Sequence, residues 1–182
     1  EKKYEIFNSI YFVNFWIYSF CTVMLYILIQ PFITWWVGEE FLLDNLTVVV
    51  LILNFYISGL RSSISMFKEK AGLFNEDKYI RILEALFNLV ASLILVKIFG
   101  LAGIFLGTTL STILVAIWVQ TKIVYNKVFN KPVLEYFKRY VIYLFITIIM
   151  CVLNLKICSL LPNENLLLNL IGRGTIGLVV VN

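Results

Sequence analysis

Polar side chains recur at helical spacing inside runs of apolar residues, and these are the residues whose types could carry chemistry. Two stripes stand out, one spaced i, i+4, i+7 and i+11 over 54–65 and one spaced i, i+3, i+7 and i+11 over 81–92. Such intervals bring side chains to one face of a helix. Because polar groups inside a membrane are costly, such faces usually point into a bundle or a hydrated cavity. We expect six of these side chains to line a polar path for a substrate: Asn54, Ser58, Arg61, Arg81, Glu84 and Asn88.

A plainer interpretation of the same residues stays open. Arg81 and Glu84 would then form an ion pair at the lipid interface, since they are three residues apart on one helix. In this interpretation Asn54 and Asn88 only form hydrogen bonds with a neighbouring helix. The two interpretations differ in whether the polar faces enclose a space or merely join helices.

Motifs for catalysis and metal binding are missing from the sequence. It has no histidine, P-loop, HExxH or GxSxG, and Glu84 is the only acidic residue with a claim to lie within an apolar run. The cysteines Cys21, Cys151 and Cys158 lack the spacing of a metal site. We therefore predict that the protein is not an enzyme and that it holds no metal and no cofactor.

The composition predicts that lipid is the solvent for most of the chain. Of its 182 residues, 61% are hydrophobic and 14% are charged, and the mean hydropathy is +0.92. Soluble domains are usually about half apolar, and a water-soluble core of this size could not hide so much apolar surface. We predict an all-α fold, a polytopic bundle of membrane helices.

Five apolar runs are long enough to cross a bilayer, which takes about 20 helical residues. They are segments A to E, at 9–38, 45–60, 79–96, 101–119 and 140–155. Pro31 predicts a kink in segment A, and segment B could continue as a helix past Arg61. In the last stretch we expect a short interfacial helix over 166–171 and a truncated span from Gly174, because one continuous span would bury Arg173 in lipid. We also expect the chain to be part of a longer protein.

The distribution of basic residues predicts the orientation in the membrane. Twelve of the fifteen lysines and arginines precede segment A or lie in the connections between B and C and between D and E. The opposite side has only three, and its first loop is acidic. Because cytoplasmic loops are enriched in lysine and arginine, we predict that the N-terminal end and the loops near 61–81 and 120–139 are cytoplasmic. These cations flank membrane spans and form no single soluble surface, so we predict no nucleic-acid binding.

Segment D carries a second kind of pattern, made of small residues. Gly103, Gly107 and Ser111 repeat every four residues. Small residues at this spacing let the backbones of two helices approach closely. We therefore expect this face to pack tightly against another helix and to have no role in chemistry.

Several motifs occur in an order that resembles a known family. PFITWWVGEEF closes one span, a second span ends in NFYISGLR, and a Gly-x-x-x-x-Asp-Lys-Tyr loop follows over 72–79. Next come a helix with Asn88 and a Gly-Leu-Ala-Gly sequence at 100–103, which opens a helix containing Gly-Thr-Thr. Over most of 7–140 the chain resembles the C-terminal part of the Wzx-type polysaccharide flippases, in the superfamily that includes multidrug extruders and the lipid II flippase.

The resemblance implies a transporter with two pseudo-symmetric lobes around a central cavity. Residues 1–139 would be membrane helices of the second lobe, about four spans, and residues 140–182 would be trailing helices of which the last is truncated. Such proteins move a polyprenyl-diphosphate-linked oligosaccharide across the bacterial inner membrane by alternating access. Besides that substrate and membrane lipid, the resemblance implies a coupling cation, a proton or sodium, as a partner. The cations that meet the diphosphate often lie in first-lobe helices, so that role for Arg61 or Arg81 rests only on their position in the stripes.

Three other functions stay open at this point. One is a cation-coupled multidrug extruder of the same superfamily. Another is a membrane-embedded polymerase or ligase of the polysaccharide pathway, although the loops predicted to be extracytoplasmic are shorter than such an enzyme needs. The third is a membrane scaffold protein that transports nothing.

Overall fold

Five long helices make up the fold in the computed structural model, which describes residues 2–76, 78–158, 172–175 and 177. Each helix is long and apolar enough to cross a membrane. The described residues contain no strand, so the prediction of an all-α helical bundle is confirmed. The helices are α1 (Lys2–Trp36), α2 (Asn45–Lys70), α3 (Lys78–Phe99), α4 (Leu101–Phe129) and α5 (Leu134–Cys158).

The helices extend beyond the apolar runs that predict them, and four of the extensions lie at one end of the bundle. There α1 begins at Lys2, α2 continues to Lys70, α4 continues to Phe129 and α5 begins at Leu134. We call this the basic end. The connections there are therefore short, at 71–77 and 130–133, and the predicted loops near 61–81 and 120–139 are mostly helix. Charged residues favour the interface between membrane and water, but a helix can continue through them. Hydropathy therefore predicts which residues lie in lipid and not where a helix ends.

Further expectations concern the length of segment B, a kink at Pro31, the last stretch of the chain and the division at 139. Segment B does continue past Arg61, as expected, and α1 continues past Pro31 to Trp36, so a kink there stays a prediction. The interfacial helix expected over 166–171 lies outside the described residues. The division at 139 stays a prediction of lobe boundaries, although that position falls inside α5.

Polar contacts join the elements at the basic end. The Tyr4 hydroxyl of α1 donates a hydrogen bond of 2.5 Å to Glu135 of α5. Lys127 at the end of α4 forms a 2.6 Å ion pair with Glu76 in the connection between α2 and α3. These contacts show that the two short connections and the start of α1 lie at the same end, as an up-and-down arrangement of helices requires.

An aromatic core fills the bundle near the basic end. Phe7 and Tyr11 of α1 are fully buried, and so are Tyr125 of α4 and Tyr136 of α5. The rings of Tyr11 and Tyr136 have centroids 5.1 Å apart, and those of Tyr125 and Tyr136 are 6.0 Å apart. Such ring contacts add to the dispersion that holds helices together in lipid, where burial of apolar surface gives little driving force. The core thus packs α1, α4 and α5 against an apolar face of α2 that contains Ile57, Leu60 and Ile64.

The helix α3 lies at the edge of the bundle. None of its residues is buried, and its main partner is α4, which follows it after a turn at Gly100. This glycine has a φ of +58°, in the left-handed region that glycine adopts at little cost. The small residues of α4 let the two backbones come close, and α3 is thereby held beside α2 and α4 with an exposed apolar side facing outward.

At the opposite end of the bundle, Asp44 caps α2. Its carboxylate accepts a hydrogen bond of 3.0 Å from the Thr47 backbone N–H and another from the Thr47 hydroxyl. This arrangement satisfies a free donor in the first turn of the helix. The hydrogen bonds from the Thr47 side chain and backbone hold the pKa of Asp44 below its usual value.

Candidate functional site: a polar cavity inside the bundle

Three helices meet at an ion pair between Arg61 of α2 and Glu84 of α3. Arg61 Nη1 donates to Glu84 Oε1 at 2.7 Å and Nη2 donates to Oε2 at 3.1 Å, so the pair is bidentate. The third nitrogen of the guanidinium, Nε, donates a hydrogen bond of 3.0 Å to Gln120 Oε1 of α4. One arginine therefore connects α2, α3 and α4 through its side chain.

The pair lies well inside the bundle, measured from the basic end. Arg61 precedes the end of α2 by nine residues, Gln120 precedes the end of α4 by nine, and Glu84 follows the start of α3 by six. At 1.5 Å per residue this places them about 9 to 14 Å from that end. Polar groups at such a depth are expensive unless they are paired or face a cavity, and here both conditions hold.

A cavity of about 400 Å³ adjoins the ion pair. We call it the polar cavity. It is lined by cations and carboxylates in a ratio of three to two, together with neutral side chains. The lining residues are Arg61, Ser65, Lys68, Glu69, Arg81, Glu84, Ala85, Asn88 and Gln120.

The lining residues differ in their access to the surface, which shows where the cavity opens. Lys68 is fully buried and Gln120 is nearly so, while the side chains of Arg61 and Glu84 are 21% and 19% exposed. Arg81 and Glu69 are exposed and lie closer to the ends of their helices. The exposed Arg81 and Glu69 therefore form a charged mouth toward the basic end, with the buried Lys68 on its wall, and Gln120 forms a buried floor farther in.

The structure brings four of the six sequence-predicted residues together in this cavity. Arg61, Arg81, Glu84 and Asn88 all line it. Asn88 also satisfies the plainer interpretation, because its Oδ1 accepts hydrogen bonds from Ser92 at 2.9 Å and from Thr108 of α4 at 3.4 Å. The alternative pairing of Arg81 with Glu84 is not observed, since Glu84 is held by Arg61 on another helix.

The other two predicted residues do not line the polar cavity. Ser58 and Asn54 lie on the same face of α2 as Arg61 but farther from the basic end, and the Ser58 hydroxyl donates to Asn54 Oδ1 at 3.4 Å. Ser58 is exposed and Asn54 is half-buried. Their polar groups are thus paired within α2, and the cavity ends before it reaches them.

Two residues that sequence reasoning missed prove central to the cavity. Gln120 anchors Arg61, and its Oε1 also accepts a hydrogen bond of 3.3 Å from Ser65. It directly follows the predicted end of segment D at 119, so the apolar run does not include it. Lys68 likewise lies beyond the apolar run of segment B, in the predicted loop near 61–81. A helical stripe continued to i+14 from Asn54 would have included Lys68.

The first of two wide turns in α4 helps to aim Gln120 at Arg61. The helix is π-helical over Thr112–Ile117 and again over Tyr125–Phe129, with regular α-helix between them. A π turn contains one residue more than an α turn, so the side chains after it lie on a different face from the one that an uninterrupted α-helix would give them. The first half of α4 therefore presents its small residues to α3, while the second half presents Gln120 to α2.

The small-residue face of α4 lies against α3 as closely as backbones allow. A methyl group built on Gly103 would overlap the carbonyl of Leu95, and one built on Gly107 would lie 2.7 Å from the backbone nitrogen of Ser92. Ser111 is buried, and its hydroxyl donates to the Thr108 carbonyl within α4. The glycines thus permit the close approach that brings Glu84 of α3 within reach of α2.

A second cavity, of about 260 Å³, lies between α1, α2 and α5. Its lining is almost entirely apolar, with side chains such as Ile52, Leu144 and Cys151. The Thr147 hydroxyl on its wall is hydrogen-bonded to Ser19 at 2.7 Å and to Tyr56 at 3.2 Å. The Thr22 hydroxyl also lines this cavity and is buried with no described hydrogen-bond partner. Because none of the lining residues is charged, the polar cavity is the stronger candidate. The described residues include no cluster of three potential metal ligands.

Comparisons with known proteins give no family to which the chain could be assigned. No family model, no curated protein and no solved structure matches it. The fold and the site define a class all the same: a multi-pass helical membrane protein with a polar cavity lined by both cations and carboxylates.

Proposed function

We propose that this chain belongs to a transporter that moves a polyprenyl-diphosphate-linked oligosaccharide across the bacterial inner membrane, for the synthesis of surface polysaccharide. The observation that carries the proposal is the polar cavity, with Arg61, Lys68 and Arg81 on its walls. A sugar-diphosphate head group needs a polar route through lipid, and arginine binds phosphate in a bidentate way. The motif order at 72–79 and 100–109, with its resemblance to polysaccharide flippases, supports the same substrate class.

The direction of transport in this proposal follows from the charge distribution. Twelve of the fifteen lysines and arginines belong to the basic end and its connections. By the positive-inside rule this end is cytoplasmic, so the mouth of the polar cavity opens to the side on which lipid-linked precursors are made. Movement of this lobe against a second one would then expose the cavity to the other side.

A gene deletion tests the proposal directly. In a strain that lacks the full-length gene, surface polysaccharide should be lost and the lipid-linked precursor should accumulate on the cytoplasmic side, where an external glycosidase cannot reach it. Reintroduction of the gene should restore both. Normal surface polymer without precursor accumulation would contradict the proposal, and recovered drug efflux in a hypersensitive strain without any effect on surface sugar would favour a drug extruder.

A further inference from the structure

The guanidinium of Arg61 already binds an anion within the protein. Its two terminal nitrogens hold the two oxygens of Glu84 at 2.7 and 3.1 Å. A phosphoryl group presents two oxygens to arginine with the same fork geometry. Glu84 therefore occupies the pair of donors that a phosphoryl oxyanion would use.

The direction of the Arg61 fork does not depend on Glu84 alone. Its Nε donates to Gln120 Oε1 at 3.0 Å, and Gln120 is nearly fully buried. If the Glu84 carboxylate moved away, this hydrogen bond would still keep the guanidinium aimed at the polar cavity. The site is thus preorganised for an anion by a residue that does not itself compete for it.

The space next to the fork suits an oxyanion that carries more than one negative charge. The cavity of about 400 Å³ is also lined by the cations Lys68 and Arg81. Glu84, in contrast, belongs to α3, which has no buried residue and is held mainly by α4. The carboxylate is therefore carried by the most peripheral helix of the described bundle, whereas Arg61 and Gln120 belong to interior helices.

We propose that Glu84 is an exchangeable internal anion, which holds Arg61 in the unloaded protein and gives up its place to a phosphoryl oxyanion when the ligand enters the polar cavity. The inference rests on the proposed function, because it takes that ligand to be the diphosphate of the lipid-linked substrate. Exchange breaks the only described ion pair between α2 and α3. Loading then loosens α3 from α2, since ligand and carboxylate compete for one set of donors.

Binding to the full-length protein in lipid nanodiscs tests the exchange. The probe is polyprenyl diphosphate without sugar, with its affinity measured by native mass spectrometry. Glu84→Gln removes the competing charge and should bind the probe about tenfold more tightly than the wild type. Glu84→Asp retains the charge but shortens the side chain, so it should give a smaller gain and serves as the second variant if Glu84→Gln folds poorly.

Two further variants separate exchange from a general effect of charge. Glu69→Gln removes the same charge from a carboxylate that lines the same cavity but has no described contact with Arg61, so its gain should be much smaller. In an Arg61→Gln background, Glu84→Gln should give almost no gain, because the shared donors are gone. Inorganic pyrophosphate, titrated in parallel, distinguishes a free oxyanion from a lipid head group.

The outcomes identify which proposal fails. Equal affinities of the wild type and Glu84→Gln for polyprenyl diphosphate, or equal gains for Glu84→Gln and Glu69→Gln, would overturn the exchange and leave the proposed function standing. A gain for pyrophosphate alone would overturn the assignment of the ligand to a lipid. Absence of binding by the wild type and by every folded variant would overturn the proposed function as well.

Discussion

Gly107 of α4 lies so close to Ser92 of α3 that an added methyl group would come within 2.7 Å of the Ser92 backbone nitrogen. Backbone atoms cannot move aside as the end of a flexible side chain can. The contact therefore sets the distance between α3 and α4, and through α3 it sets the distance of Glu84 from Arg61.

Replacement of Gly107 by leucine should destabilise the bundle. The side chain would force two backbones apart, and overpacking of this kind costs about 1–3 kcal/mol or more. Thermal unfolding of the purified protein in detergent should show a lower Tm for Gly107→Leu. As a control, Ile104→Phe adds bulk at a position of α4 that is 44% exposed and should leave the Tm nearly unchanged. Equal Tm values for wild type and Gly107→Leu would show that the two helices do not pack in this way.

Replacement of Arg61 by alanine should reduce transport at least about tenfold while membrane abundance stays near normal. The variant loses the fork that faces the polar cavity, and it leaves Glu84 without its partner. Arg61→Lys keeps the charge but cannot form two parallel hydrogen bonds, so it should recover only part of the activity. The measurement is surface polysaccharide per unit of membrane protein in a complemented deletion strain. A loss of protein that parallels the loss of activity would instead assign Arg61 a packing role.

Replacement of Asn88 by leucine tests the cavity wall apart from its charges. The substitution removes the acceptor for Ser92 and Thr108 and makes one wall of the polar cavity apolar. We expect impaired transport with near-normal abundance, because a single neutral hydrogen bond contributes only about 1 kcal/mol to stability. Thr108→Val, which removes the same bond between helices from the α4 side, is the matched control. If both variants transport equally poorly, the bond and not the cavity wall is what matters.

The cap of α2 should make stability depend on pH. The pKa of Asp44 is held below its usual value of 3.8 by hydrogen bonds from Thr47. The ionised carboxylate therefore stabilises the folded protein fully above pH 3.8. This stabilisation is lost as the pH falls through the lower pKa that Asp44 has in the folded protein. Asp44→Asn keeps a capping oxygen that does not titrate. Its Tm should fall less than that of the wild type on acidification, and identical acid profiles would contradict this assignment.

The orientation can be checked with reporter fusions in the full-length protein. Alkaline phosphatase fused after Lys131, in the connection at the basic end, should be inactive, and a fluorescent protein at the same site should be fluorescent. Phosphatase fused after Glu40, at the opposite end, should be active. The reverse pattern would place the mouth of the polar cavity outside the cell and would contradict the proposed direction of transport.

The helices could be predicted from the sequence because apolar runs of spanning length have few alternatives in a chain of this composition. Their ends could not, because α2 and α4 continue through charged residues such as Lys68 and Lys122 into the interfacial region. Because the predicted helix ends at 119, one residue before Gln120, Gln120 is not among the predicted site residues.

The partner of Glu84 could not be predicted either. Spacing along one helix favours Arg81, three residues away, as its partner. The structure instead pairs Glu84 with Arg61, 23 residues away on another helix. Two features decide which helix faces meet: the close approach at Gly103 and Gly107, and the π turns of α4. The spacing of the glycines shows in the sequence, but the π turns do not.

The π turns of α4 limit which insertions and deletions this protein can tolerate. Because a wide turn holds one extra residue, loss of one residue from Thr112–Ile117 would make the turn regular and leave Gln120 on nearly the same face relative to Gly107. Insertion of one residue between Gly107 and Gln120 would instead rotate Gln120 by about 100°. The helix would still span the membrane, yet Arg61 would lose its anchor. Insertions in this stretch should therefore be rarer than single-residue losses.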